Sequence, residues 1–195
     1  MKDRSIIVKK AEENECKIAA LMQKYKHFPK IDIFTLERQN YIFMKYYKHN
    51  KIKFDAEFNY VKNYIKSLLL CLNKMHKKNY IHGDVKPDNF ININKKNYYL
   101  IDFDFSVMIG SENPNKCSYP YNAPEKNNYT LLYNKASEKS DIWSVGIILL
   151  FFYIKSYIYS KYFIANYYNF SRTNFSSLAE YVLIYGNNIE NYIVR

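Results

Sequence analysis

The chain has 195 residues, 48% of them apolar, with 22 tyrosines and 13 phenylalanines, enough for one sizeable core, and no Pro/Gly/Ser-rich tract marks a linker or disorder. A net charge of +11 favours acidic partners, anionic surfaces or nucleic acid. The lysines are scattered in short runs such as Lys9-Lys10, Lys77-Lys78 and Lys95-Lys96, which carry no nucleic-acid signature and read as solvated faces and turns.

The three cysteines, Cys16, Cys71 and Cys117, form no CxxC pair and read as reduced thiols of a cytoplasmic or nuclear protein. The apolar run in "MKDRSIIVKK" is too short for a secretion signal, which fits an intracellular chain. Tyr, Asn, Ile and Lys dominate throughout, a bias that reads as genomic, so isolated Tyr and Asn carry little weight.

In chain order, the β-branched run "SIIVK" at 5–9 predicts a strand. Residues 11–26 predict a helix, with acids in the first turn, apolar positions at Ile18, Leu21, Met22 and Tyr25, and Pro29 as the stop. "IDIFTLERQNYIFMKYY" predicts a hairpin turning around "ERQN", with Tyr41, Ile42, Phe43 and Met44 in its second strand. The clearest helix spans 58–78, where Phe58, Val61, Ile65, Leu68, Leu72 and Met75 recur at three- and four-residue steps.

Residues 80–107 read as a loop between short strands that turn at Asn94–Asn97. Residues 106–133 carry Pro114, Pro120 and Pro124 and little periodicity, the mark of a long functional loop. The run Ile142–Ile154 is apolar all round but short of the ~20 residues that cross a bilayer, so it predicts a buried helix rather than a membrane span, N-capped by Ser140 or Asp141. The tail after Ile154 has helical stretches such as "SSLAEYVLIYG".

The span "IHGDVKPDNFININKKNYYLIDFDF" at 81–105 carries chemistry. Moving the terminal phosphoryl group of a nucleotide to a hydroxyl requires oxygen ligands for metal ions, a carboxylate to orient the hydroxyl and a cation near the phosphate, with positioning and electrostatics supplying nearly all the catalysis. Asp84 can accept the hydroxyl proton, Lys86 can reach the phosphate, and Asn89 and Asp102 can hold Mg²⁺ through hard oxygen atoms.

"HGDVKPDN" resembles the catalytic loop H-R-D-x-K-x-x-N of the eukaryotic protein kinases, and "DFD" at 102–104 resembles their D-F-G. "CSYPYNAPE" at 117–125 is similar to G-T-x-x-Y-x-A-P-E, and "SDIWSVG" at 140–146 is similar to the start of the family's central buried helix. Four motifs in the right order make the match specific. It runs from about residue 5 to 154, and "ECKIAALMQKYKHFP" and the loop spacing resemble the casein kinase I and vaccinia-related kinase branch.

The resemblance implies an α+β, two-lobe protein-kinase-like fold. A reduced small lobe would occupy 1–46, and a mainly helical large lobe with the catalytic loop and activation segment 47–195. ATP would lie between them, with Val8 and Phe43–Tyr46 against its base. The implied roles are catalytic base for Asp84, phosphate contact and Ser/Thr preference for Lys86, metal ligand for Asn89 and Asp102, and brace of the catalytic loop for Asp141. The strand Lys and helix Glu that anchor nucleotide would be Lys9 and Glu15, with Lys10, Glu12 and Glu13 as rivals.

Four departures stand against the pattern. No Gly-rich loop precedes residue 5, and the Lys9–Glu15 gap is short. Gly83 replaces an Arg that gathers a phosphorylated loop, so no such phosphorylation is expected to be needed. Asp104 replaces a Gly and adds a carboxylate beside the metal ligands. In addition, Arg172 is the one candidate to pair with Glu125, and the short tail suggests an incomplete substrate groove. The expected function is a minimal Ser/Thr protein kinase using ATP and Mg²⁺ on a protein substrate; the alternative is a pseudokinase or truncated mimic that binds a partner kinase.

Overall fold

The computed structural model describes residues 5–48, 56–94, 97–114, 118–127 and 135–154, all within the first of the chain's two units, Met1–Lys155. Cys117, Arg172, Lys95 and Lys96 lie outside the described residues. The fold is mixed α+β. Strands β1 (Ile6–Ala11), β2 (Ile31–Leu36) and β3 (Gln39–Lys45) form an antiparallel sheet in the order β1-β3-β2, with helix α1 (Glu13–Met22) inserted after β1. Helix α2 (Phe58–His76) leads into the short strands β4 (Tyr80–Ile81), β5 (Phe90–Asn94), β6 (Asn97–Leu100) and β7 (Val107–Met108), and α3 (Glu138–Ile154) closes the described chain.

β1 shows a strict alternation of exposed and covered residues, the period-2 signature of a strand with one buried face. Register places Lys9 opposite Ile42 and Ile7 opposite Met44 on one face, and Val8 opposite Phe43 on the other. Val8 is 54% exposed there, so it cannot share a cleft with Lys9; Ile7 and Met44 can. The hairpin turn is tighter than "ERQN" suggested: Glu37 and Arg38 both adopt positive φ, 48° and 66°, and Gln39 already pairs with Leu36. That geometry is the two-residue turn whose twist suits a hairpin.

α1 ends before Pro29 is reached. The Tyr25 amide bonds the Met22 carbonyl at 2.9 Å, tightening the last turn, and Gln23 Oε1 accepts from the Ile31 amide at 3.2 Å, drawing the chain back into β2. α2 keeps the predicted period, but its buried face is Tyr64, Leu68, Cys71, Leu72 and Met75, while Phe58 is 43% exposed. Tyr64 is wholly buried, with its ring 4.9 Å from Phe90 and 5.5 Å from Tyr98, both edge-on. This aromatic cluster backs the segment that carries Asn89.

α3 is capped otherwise than expected. It begins at Glu138, and Ser137 Oγ accepts the Lys139 amide at 3.3 Å, so Ser140 and Asp141 lie inside the first turn. Its covered side presents Val145, Ile148, Phe151 and Phe152, whereas Ile142 and Leu149 are 48% and 38% exposed, so the helix is buried on one side rather than all round. The chain's single tryptophan, Trp143, holds its indole N–H buried and without a hydrogen-bond partner among the described residues. No helix among the described residues is long and apolar enough to cross a membrane. Cys16 and Cys71 are free and buried, and burial pushes the Cys71 thiol up to about 12, which leaves it unreactive at neutral pH.

Candidate active site

The site is assembled around the buried carboxylate of Asp141 in the first turn of α3. Its Oδ2 accepts from the His82 amide and pairs with His76 Nε2, each at 2.8 Å, and its Oδ1 accepts from the Gly83 amide at 2.9 Å. The loop after β4 therefore has its main-chain donors satisfied from a helix some 60 residues further on, the kind of long-range pairing a buried loop must have.

His82 is fully buried, and burial holds its imidazole below its ordinary value and neutral, against the pull of Asp141. Its Nε2 faces the Ile101 carbonyl at 3.1 Å and must donate; Nδ1 is then the acceptor for the Asp84 amide, at 3.3 Å. Gly83 sits at φ +79°, and a Cβ there would stand 2.3 Å from the Phe105 carbonyl oxygen. The missing Arg side chain thus has a steric reason. Gly83→Ala is expected to destabilise the fold by roughly 1–3 kcal/mol, read as a lower urea midpoint at unchanged slope.

Asp84, 7% exposed, is surrounded by donors. Lys86 Nζ reaches its Oδ2 at 2.8 Å and also Ser118 Oγ at 2.8 Å. Asn89, in a 3₁₀ turn at Pro87–Asn89, gives its amide protons to the Asp84 carbonyl at 3.0 Å and to Oδ2 at 2.9 Å. Burial raises the Asp84 carboxyl, but hydrogen bonds from Lys86 and Ser118 and the Lys86 charge outweigh it and hold the group below the ordinary aspartate value. Asp84 is ionised at neutral pH.

A second cluster forms around Lys9. Its Nζ lies 2.6 Å from Glu15 Oε1 and 2.5 Å from Asp102 Oδ1, so of the candidates Lys9, Lys10, Glu12, Glu13 and Glu15 the structure brings together Lys9 and Glu15, with Asp102. Burial lowers the Lys9 ammonium, but the two carboxylates outweigh it and raise it above its ordinary value. Glu15, side chain 4% exposed, is raised by burial, offset only in part by Lys9, with the charges of Asp102 and Asp104 adding to the rise. Asn14 Nδ2 donates to the Ser106 carbonyl at 2.9 Å, tying α1 to the chain just after Asp104. Asp102 adopts φ 68°, a strained conformation for a non-glycine residue that is held by its surroundings.

The two clusters meet through the backbone, where the Ile101 amide bonds the Asn89 carbonyl at 2.9 Å. Three participants escaped the sequence reading: His76, Ser118 and Lys126, whose Nζ donates to the Gly83 carbonyl at 2.7 Å. Ser118 had a signal, since it stands where G-T-x-x-Y-x-A-P-E has its Thr. His76 and Lys126 act across 65 and 43 residues and had none.

A sheet carrying the Lys9 cluster and a helical part braced through Asp141 give this α+β domain the architecture of a protein kinase. A family model described as the protein kinase domain matches residues 2–186, and the chain belongs to that family. It is 31% identical to the Aurora kinase of Eremothecium gossypii over 123 residues, covering 57% of this chain and 32% of that protein. It is 31% identical to the serine/threonine-protein kinase Nek3 of Mus musculus over 159 residues, 73% of this chain and 30% of that protein. It is 35% identical to the calcium-dependent protein kinase 6 of Plasmodium berghei over 117 residues, 55% of this chain and 7% of that protein. The chain thus spans a third or less of the length of these relatives, and they do not specify a branch of the family.

Proposed function

We propose that the chain is a serine/threonine protein kinase domain that transfers the γ-phosphate of ATP to a hydroxyl of a protein substrate. The observation that carries this reading is the Asp84–Lys86–Ser118 group: a buried, ionised carboxylate with a cation 2.8 Å away. In the reaction the substrate oxygen bonds to the γ-phosphorus, the bond from that phosphorus to the bridging oxygen breaks, ADP leaves, and the hydroxyl proton passes to Asp84. Lys86 orients Asp84 and meets the phosphate charge. Lys9, held by Glu15, is the nucleotide anchor. The small lobe is taken as residues 1–46 and the large lobe as 47–195, with ATP between them.

Asn89 and Asp102 suit Mg²⁺. Asn89 spends amide protons on Asp84, which leaves its carbonyl oxygen as the group to offer a cation, and Asp102 adds hard carboxylate oxygen. When bound, Mg²⁺ neutralises phosphate charge.

The second reading, a pseudokinase or kinase mimic that docks on a partner kinase, is favoured by Asp104, whose carboxylate already bears on Glu15 and adds to the charge an incoming nucleotide must meet. Thermal unfolding with Mg²⁺ and ATP, wild type against Asp102→Asn, tests the nucleotide step on which the first reading depends. Ligand at ~100 times its dissociation constant stabilises by about 2.7 kcal/mol, and a domain of this size shifts by roughly 2–4 °C per kcal/mol. A rise of roughly 5–10 °C that needs metal and is lost in Asp102→Asn is expected. No shift in either protein would overturn the kinase reading and turn attention to the partner-binding one.

A further inference from the structure

We propose that Lys126 is a positioning residue that locks the peptide between Gly83 and Asp84 and thereby couples the orientation of Asp84 to the 3₁₀ turn Pro124–Asn127. Three observations meet at this peptide. Gly83 lies at φ +79° with no side chain to fix it, and the Phe105 carbonyl excludes one, so the plane that follows it is free to turn at little steric cost. The amide end of the peptide is weakly held, by the 3.3 Å bond from the Asp84 N–H to His82 Nδ1. The carbonyl end receives the Lys126 ammonium at 2.7 Å, a charge-assisted bond at the short end of the range. The strong restraint on the plane therefore comes from outside the loop.

Asp141 cannot replace this restraint. It holds the His82 and Gly83 amides, on the far side of the Gly83 φ and ψ rotations from the peptide in question. Asp84 hangs directly from that peptide, and its carboxylate is held in turn by Lys86, which also binds Ser118 of the same segment. Two lysines thus join the loop to the 118–127 segment from opposite ends: Lys86 reaches out to Ser118, and Lys126 reaches in to Gly83. The second link is what an ordered segment contributes to the setting of Asp84 where position 83 has no cationic side chain.

The test combines Lys126→Met and Lys126→Arg, with amide exchange by NMR as the primary reading, because exchange does not depend on turnover. In Lys126→Met the Asp84 amide is expected to exchange at least roughly tenfold faster while the Gly83 amide, held by Asp141, stays protected; Lys126→Arg restores the wild-type pattern. Unchanged exchange at Asp84 in Lys126→Met would overturn the proposal, and equal loss at Gly83 and Asp84 would mean that the whole loop had melted, which overturns it too. Should Lys126→Met fail to fold, Lys126→Gln, which keeps a neutral donor, takes its place and is expected to fall between the two.

The kinetic arm rests on the proposed phosphoryl transfer: kcat falls roughly tenfold in Lys126→Met with the KM for ATP within about twofold, and Lys126→Arg recovers it. A wild type that transfers no phosphate would sink the kinase reading alone, and the exchange data would still decide the role of Lys126.

Discussion

Replacing Asp141 by Ala should produce the largest loss of stability of any single substitution considered for this chain. Its two carboxylate oxygens satisfy the amides of His82 and Gly83 and the ring of His76, in a place where Asp141 itself is 1% exposed and His82 0%. Truncation leaves the buried His82 amide and the part-buried Gly83 amide and His76 ring without their acceptor, and a fully buried orphan costs about 1–3 kcal/mol. Allowing for partial entry of water, a loss of roughly 3–5 kcal/mol is expected, read as a fall in Tm of roughly 6–20 °C. Asp141→Asn tests the mechanism. It keeps one acceptor oxygen but turns an NH₂ group toward an N–H donor, so its loss should lie between wild type and Asp141→Ala. Equal stability of wild type and Asp141→Ala would mean that the loop is held by something else.

On the proposed kinase reading, replacing Asp84 by Asn should have the largest effect on chemistry. A positioned general base is worth about 10²–10⁴ in rate, and Asn preserves the shape while removing the proton acceptor. Phosphoryl transfer, followed with radiolabelled ATP, is expected to fall by that range, while the rise in melting temperature with Mg²⁺ and ATP persists, since Asp84 is not among the groups assigned to nucleotide or metal. Loss of both would point to a structural role for Asp84.

The pH dependence follows in sign from the same environment. The Asp84 carboxyl is held below the ordinary aspartate value of 3.8, so the proposed base stays ionised through neutral pH, and the rate of the proposed transfer is expected to decline only as pH falls through that lowered value. Stability contributed by this ionised carboxylate is present above the unfolded value and lost over the same acid window. His82 works at higher pH. Because burial keeps its imidazole neutral, the unfolded chain takes up a proton near pH ~6.5 that the folded chain refuses, and stability declines as pH falls below that point.

How much of this was legible in the sequence depends on how far apart the interacting residues lie along the chain. The Asp84–Lys86–Asn89 group sits within six residues, and its spacing alone put its members in one loop. The α2 period is plain in the sequence, yet its most buried ring is not: Tyr64 looks like one more tyrosine in a tyrosine-rich chain, and only the partners Phe90 and Tyr98 make it core. The cap of α3 does not follow from residue type, since Asp141, a good capping residue, is claimed by amides 58 and 59 residues away. The resemblance sets Val8 on the nucleotide side, but a short apolar run does not announce its phase, and pairing with β3 puts Val8, opposite Phe43, on the other face. Lys126 and His76 were invisible for the same reason, as residues whose roles exist only once the chain has closed on itself.

The position of Trp143 has a practical meaning. It stands two residues beyond Asp141 on the same helix, and no other indole competes with it. An indole N–H sealed from water emits to the blue and moves to the red when wetted, so the intrinsic fluorescence of this chain is a label-free optical gauge of the helix that braces the loop. Excited at the red edge, beyond tyrosine absorption, it would separate local release of the brace from collapse of the remaining fold, which circular dichroism registers as one event.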